Sequence, residues 1–239
     1  MEPQCNVALL HNTPLYIGAA GARTCWDSGD KSDSYQVASS GMTEAKIVCG
    51  PNDTALIDRV GNKFKHASIL EHISYNWYIS NISRALLQEL ARHRMSSFSV
   101  KSTRYTLKEL KEEDEFTTNW IDLDANSFYE SKTWIRAKKY LISSGIEIVD
   151  QASLKALENL RFIIKQGISN DKAKYCLPES YKTELTWSIN ARSLQNFLYL
   201  RSDKAALWEI RELAQAIYNA LPDDHKYLFT EKMRIEEAE

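Results

Sequence analysis

The stretch Ile73-Ser74-Tyr75-Asn76-Trp77-Tyr78-Ile79 sets the fold class. Ile73, Tyr75, Trp77 and Ile79 alternate with Ser74, Asn76 and Tyr78. That period of two, in aromatic and β-branched residues, predicts a half-buried strand. A helix is predicted from about Ile82, with Ser80 or Asn81 as N-cap and Ile82, Ala85, Leu86 and Leu90 at helical spacing. Leu185, Trp187 and Ile189 alternate again and predict a second strand. The rest of the second half reads as helical. Tyr129, Thr133, Trp134, Ala137, Tyr140 and Leu141 form one stripe, ending near Gly145. Leu154, Leu157, Leu160 and Ile164 form another, with Gly167 as its C′ glycine. Ala206, Leu207, Ile210, Leu213, Ala214, Ile217 and Leu221 form the cleanest amphipathic stripe, stopped by Pro222. Strands and helices do not alternate regularly, which disfavours a doubly wound parallel sheet. The expectation is an α+β fold: a small central, mainly antiparallel sheet flanked by long helices.

The 239 residues are expected to form one domain, over 1–239. Hydrophobic residues make up 44% and charged residues 26%, a globular mix that excludes a disordered or fibrous chain. Thirty Lys and Arg against 32 Asp and Glu leave a net charge of −2, which argues against wholesale binding to nucleic acid or anionic lipid. None of the four cysteines forms a CxxC pair, so no zinc framework or redox dithiol is indicated. Sparse cysteine suits a reducing compartment. No apolar run approaches the roughly 20 residues that cross a bilayer, and Met1–Gln4 lack a signal-peptide layout. The expected location is cytoplasmic. The acidic patch Lys111–Glu115, with the polar residues up to about Ala125, reads as a surface loop.

The densest polar cluster runs from Glu89 to Tyr105. Glu89, Arg92 and His93 stand three and four apart, one face of a helix that Arg92, His93 and Arg94 would close. Ser102 and Arg104 follow in an extended or looped segment, and would point to one side if it is extended. Guanidinium forks and hydroxyls in one short span suit a phosphate. The plainer reading is that cations in a last helical turn complement the macrodipole.

Arg92-His93-Arg94, seven residues, then Ser102 resembles the RHRx7S signature of the flavin-dependent thymidylate synthases, and Arg104-Tyr105 continues the match. His66-Ala67-Ser68 followed by Glu71-His72 resembles that family's His-x-Ser/Thr-x-x-Glu-His segment. Asn190-Ala191-Arg192-Ser193-Leu194, then Asn196-Phe197-Leu198 and Leu200-Arg201, resembles its second block. The matches cover roughly residues 20–215. The resemblance implies a homotetramer with FAD at subunit interfaces. It implies conversion of dUMP to dTMP with 5,10-methylenetetrahydrofolate as carbon donor. NADPH reduces the flavin, reduced flavin supplies the hydride, and no enzyme nucleophile adds to uracil.

By the same resemblance, Glu89, Arg92, Ser102, Arg104 and Lys174 match positions that hold dUMP. Arg201 matches an arginine that binds dUMP and promotes ionisation at the pyrimidine N3. Ser68, Arg92, His93, Arg94, Asn190, Arg192 and Asn196 match flavin contacts. His66 matches a histidine near the isoalloxazine, and Glu71 an acid of the flavin pocket. Two positions depart from the pattern: Val100 stands where many members carry Glu or Gln, and Lys174 where some carry Arg, which keeps the charge and loses the fork. The loop near 111–125 also matches poorly.

Cys176, near Lys174, is the one tempting nucleophile of a classical thymidylate synthase; its flanks Tyr175 and Leu177-Pro178 make it read instead as a small buried hydrophobe. His66, Glu71 and His72 lack the His-Glu-x-x-His spacing of a zinc site, so no metal is expected. Gly18-Ala-Ala-Gly21 reads as a turn rather than a dinucleotide loop. Trp77, Trp187 and Trp208 read as core. An RNA-binding module using the Arg92–Arg104 cluster with Phe98 and Tyr105 is the non-enzyme alternative; the absence of a broad basic stripe speaks against it.

Overall fold

The computed structural model describes residues 5–38, 41–45, 48–116 and 127–234. In chain order the elements begin with β1 (Asn6–Asn12), α1 (Tyr16–Cys25), β2 (Tyr35–Ala38), β3 (Gly41–Ala45) and α2 (Pro51–Ile57). Then come β4 (Ser74–Ser83), α3 (Arg84–Leu90), β5 (Ser96–Val100), α4 (Thr103–Thr106) and α5 (Lys108–Lys111). The remainder is α6 (Lys132–Ala137), α7 (Glu147–Lys165), α8 (Asn170–Ala173), β6 (Lys182–Asn190), α9 (Ala191–Arg201) and α10 (Trp208–Asn219). The α+β expectation holds: a four-stranded antiparallel sheet has the order β1-β4-β6-β5. A separate antiparallel pair, β2 and β3, was not foreseen; its register slips between Gln36 and Val37. Among the described residues no helix is long and apolar enough to cross a membrane.

The described residues fall into two compact units. The first is Met1–Ile79, Leu90–Ser99 and Thr186–Glu239; the second is Ser80–Glu89 and Val100–Leu185.

In the first unit the two alternating strands supply the core. Ile73, Tyr75, Trp77, Ile79 and Trp187 are fully buried, as the period of two predicts. Leu194, Phe197 and Leu198 of α9 and Ile210, Leu213, Ala214 and Ile217 of α10 are buried with them; Trp208 is only half-buried. The Gly18–Gly21 segment is helical rather than a turn. A Cβ on Gly18 would stand 2.8 Å from Ile73 Cδ1, and one on Gly21 2.9 Å from His72 Cδ2. Both glycines lie where α1 passes close to the His72–Ile73 side chains, which a larger residue would displace.

A buried polar chain ties the C-terminal part of this unit to the sheet. His225 is 2% exposed. Its Nδ1 lies 2.8 Å from the Tyr75 hydroxyl, and its Nε2 3.3 Å from Asn12 Nδ2. Burial holds the His225 pKa below its usual 6.5, outweighing the opposite pull of Asp224. Protonation is thus easier in the unfolded chain. The stabilisation is complete above the unfolded pKa near 6.5 and is lost as pH falls towards the lower folded value. The melting temperature is expected to decline between pH 6.5 and 5, with a shallower decline in His225→Gln. An equal slope in both proteins would show that His225 is not the titrating group.

In the second unit α7 carries Leu154, Leu157, Leu160 and Ile164 into a cluster with Leu107, Leu110, Phe116, Phe128 and Trp134. Gly167 has φ +79° and follows the C-cap Gln166, as expected of a C′ glycine. The stripe Tyr129–Leu141 is not one helix. It breaks into a 3₁₀ turn, α6, and an isolated bridge from Leu141 to Tyr181. The Ser131 hydroxyl caps α6 by accepting from Trp134 N at 3.1 Å. The helix after β4 begins at Arg84, later than predicted. Asn81, with φ +58°, is not its cap; Ser83 Oγ accepts from Leu86 N at 3.0 Å instead. Glu113, in the expected surface loop, is fastened by Tyr140 Oη at 2.7 Å and Lys139 Nζ at 3.3 Å; residues 117–126 lie outside the described residues.

Candidate active site

A hollow of about 1410 Å³ opens in the first unit. Its walls come from the loop around Gly61–Glu71, the turn after α3, the outer face of α9, and the C-terminal Lys232 and Arg234. Lys65, Arg92, Arg94, Arg192, Arg201, Lys232 and Arg234 line it with only two acids, Glu71 and Asp203. A chain of net charge −2 thus concentrates positive charge in one concavity, the electrostatic setting for an anionic ligand. The volume exceeds the roughly 300–1,000 Å³ of an ordinary small-molecule site, which leaves room for more than one ligand.

The turn Arg92–Arg94 does not end a helix. Helix α3 stops at Leu90, and His93 N donates to Leu90 O at 3.1 Å, closing a tight turn. The predicted helical face shared by Glu89, Arg92 and His93 is therefore absent. The turn separates the three side chains: His93 is 8% exposed, while Arg92 and Arg94 stay in solvent. The His93 ring meets Phe197 edge-on at 5.1 Å, Phe197 meets Trp187 at 5.1 Å, and Trp187 stacks on Phe98 at 6.2 Å. This aromatic ladder runs from the sheet through α9 to the turn. It also occupies one face of Phe98, one of the two rings the RNA-binding reading needed. At its far end, Arg201 Nε donates to His93 Nε2 at 3.0 Å. A guanidinium only donates, so this imidazole nitrogen is the acceptor.

Helix α9 starts where the second motif block starts. Asn190 is its N-cap, with Oδ1 accepting from Ser193 N at 2.9 Å. The cap fixes the oxygen of Asn190 and leaves its NH₂ for a ligand. Arg192 Nη1 is paired with Glu71 Oε1 at 2.6 Å, so two residues singled out in the sequence 121 positions apart meet at the rim. Gln195, which no motif flagged, lines the hollow too. Its Nε2 donates to Asn62 Oδ1 at 2.8 Å and Leu228 O at 2.7 Å. Gly61 and Asn62 belong to a π-helical turn, Asp58–Lys63, a conformation that recurs at functional sites. A Cβ on Gly61 would lie 2.9 Å from Leu70 Cδ2, so any other residue there would force the buried Leu70 side chain to shift.

Eight of the residues carried over from the sequence line the hollow: Glu71, Arg92, His93, Arg94, Asn190, Arg192, Asn196 and Arg201. His66 and Ser68 do not; both are exposed, and their neighbours Lys65 and Ala67 are the lining residues. Glu89, Ser102, Arg104 and Lys174 belong to the second unit. Ser102 has an extended backbone, with φ −85° and ψ 118°, but it is the N-cap of α4 and Arg104 lies inside that helix, so strand-like alternation does not relate them. Arg104 Nε pairs with Asp171 Oδ1 at 2.6 Å, and Asn170 Nδ2 donates to Arg104 O at 2.8 Å. Lys174 directly follows α8, which packs on α4. Cys176 is exposed, as is Tyr175 at 86%, so the buried-hydrophobe reading of Cys176 is corrected: the short 3₁₀ turn Lys174–Cys176 presents it to solvent. Among the described residues no group of three or more His, Cys, Asp or Glu is placed to hold a metal ion.

Comparison with known proteins bears on the whole chain. Residues 8–224 match the family described as thymidylate synthase complementing protein. A flavin-dependent thymidylate synthase of Wolinella succinogenes is 57% identical over 223 residues, covering 93% of this chain and 96% of that protein. One of Helicobacter pylori is 47% identical over 226 residues, 94% of this chain and 97% of that protein. A crystal structure of thymidylate synthase X from Helicobacter pylori with FAD and dUMP superposes with a TM-score of 0.82 at 46% identity, covering 97% of this chain and all of that one. The chain therefore belongs to the flavin-dependent thymidylate synthases.

Proposed function

We propose that the cationic hollow of the first unit is where this enzyme holds FAD and dUMP for conversion of dUMP to dTMP, with 5,10-methylenetetrahydrofolate and NADPH as co-substrates. The single observation that carries this is the meeting, in one hollow, of Arg92 and Arg94 with Asn190, Arg192, Asn196 and Arg201, from stretches about a hundred residues apart. The donor set fits the flavin nucleotide. Guanidinium forks match its diphosphate, and the amides of Asn190 and Asn196 can satisfy ring heteroatoms. When bound, FAD reduced by NADPH supplies the hydride.

The chain's own residues are assigned the remaining work. Arg92, Arg94 and Arg192 neutralise phosphate charge. Glu71 keeps Arg192 in place through their ion pair. Arg201 is the catalytic residue: C5 of uracil becomes nucleophilic as negative charge builds on N3 and O4, and a fixed guanidinium stabilises that charge where it develops. Tyr199, Leu200 and Met95 supply apolar surface to the hollow. The rest of the rate comes from holding the reacting partners together. Glu89, Ser102, Arg104 and Lys174 are assigned to dUMP and the exposed His66 and Ser68 to the flavin; a cytoplasmic homotetramer, in which one subunit completes another's site, accommodates both assignments. The decisive assay is tritium release from C5-labelled dUMP with methylenetetrahydrofolate and NADPH, with and without added FAD. Release that depends on FAD, from a yellow protein that bleaches with NADPH, is expected. No release under any condition would leave only a nucleotide-binding protein.

A further inference from the structure

Arg201 ends α9, and the turn after it is gripped by a residue remote in sequence. Arg234 reaches that turn in three ways. Its backbone N–H donates to Ser202 Oγ at 2.9 Å. Its guanidinium is ion-paired with Asp203. Its Cζ lies 3.8 Å from the centroid of the Tyr199 ring. The gripped groups are themselves tied down: the Ser202 hydroxyl donates to Leu198 O at 2.7 Å, and Asp203 Oδ1 accepts from Ala205 N at 2.9 Å. Residues on both sides of Arg201 are thus fastened by one side chain and its own amide. From the other direction, His93 accepts from Arg201 Nε. Arg234 lies beyond the residues matched by the family model, which end at 224, and no motif drew attention to it.

One exposed ion pair would do little. A guanidinium lying over a tyrosine face adds a directional attraction, and the bond from Arg234 N to Ser202 Oγ keeps the Arg234 backbone from sliding along the turn. The Asp203 carboxyl is held below its usual range, first by the Ala205 N–H and then by Arg234, so the pair is charged at neutral pH. Flexing of residues 199–203 would swing the Arg201 guanidinium, and a misplacement of an ångström is costly where charge must be met as it develops.

We propose that Arg234 is a positioning residue for Arg201: it locks the Tyr199–Asp203 turn so that the Arg201 guanidinium stays aimed into the hollow at dUMP. This rests on the placement of dUMP at Arg201 made above, and the test separates the two. The dissociation constant for dUMP of the FAD-loaded enzyme and kcat by tritium release are measured for wild type, R234A, R234K, R201A and R201A/R234A. R234A is expected to weaken dUMP binding and lower kcat by about five- to tenfold each, with flavin content per chain and melting temperature close to wild type. R234K, which keeps the charge and loses the flat fork, is expected to recover part of the loss. In the R201A background, R234A is expected to add nothing further to the dUMP dissociation constant. Wild-type behaviour of R234A, or an equal loss with and without Arg201, overturns the positioning role alone. Unchanged dUMP affinity in R201A overturns the placement of dUMP and the positioning role with it. If R234A does not fold, S202A, which removes the hydroxyl joining Arg234 to α9, is read by the same outcomes.

Discussion

Arg201→Ala is expected to lower dTMP formation by about 10²–10³-fold, the loss seen when one preorganised donor to developing charge is removed. The variant should remain yellow, because Arg92, Arg94, Arg192, Asn190 and Asn196 still line the hollow. The fall should appear in both dUMP affinity and kcat, with the larger part in kcat, since Arg201 holds dUMP in the ground state and its interaction strengthens as N3 and O4 gain charge. Arg201→Lys separates charge from geometry. An ammonium keeps the positive field but not the fork or the Nε–H that His93 accepts at 3.0 Å, so an intermediate rate is expected. His93 matters to the interpretation because it is buried. Removing Arg201 leaves its Nε2 without that donor, and a melting curve must accompany the kinetics to keep a stability loss from being read as a catalytic one. Wild-type turnover in Arg201→Ala, measured by tritium release, would remove Arg201 from the chemistry.

Legibility of the chain divides along physical lines. The strands around Trp77 and Trp187 were readable because a period of two has one structural solution when one face is buried. Gly167 was readable because a left-handed residue closing a helix favours glycine. The arginine-histidine-arginine run stands out in the sequence as a polar cluster, but its shape does not. Helix propensity carries through Leu90, and only the His93 N–H to Leu90 O bond, together with the burial of His93 against Phe197, shows that the backbone turns there. Gly18 and Gly21 look like turn residues in sequence because nothing local signals that α1 must pass within van der Waals contact of Ile73 and His72. Ser102 keeps an extended backbone, but nothing in the sequence signals that the one-turn helix α4 starts directly after it and carries Arg104. Gln195, Asn62, Asp203 and Arg234 were invisible because their roles depend on tertiary neighbours 31 to 133 residues away. Asn190 had a local signal, an asparagine opening an amphipathic run, and it serves as both cap and lining residue.

The largest stability effect is expected at a place no motif marks. Arg23 of α1 and Asp53 of α2 form a buried ion pair, with side chains 8% and 0% exposed. Arg23 Nη2 lies 2.5 Å and Nε 2.6 Å from Asp53 Oδ1, and Nη1 donates to Ser28 O at 3.2 Å. The second carboxylate oxygen accepts from Ser32 Oγ at 2.6 Å. That hydroxyl oxygen in turn accepts from Ser34 N and Tyr35 N, each at 3.1 Å, at the start of β2. One carboxylate therefore joins α1, α2 and the hairpin. Asp53→Ala leaves an uncompensated guanidinium in the interior, and breaking such a pair costs about 3–5 kcal/mol. For a domain of this size that lowers the melting temperature by roughly 6–20 °C. Asp53→Asn keeps the shape and part of the hydrogen bonding but not the charge, and should lie between wild type and alanine. Replacing both partners by apolar residues of similar volume, Arg23→Met with Asp53→Leu, removes the stranded charge and is expected to recover most of the loss. A double variant as unstable as Asp53→Ala would show that the hydrogen bonds to Ser28 and Ser32, rather than relief of buried charge, hold this corner together.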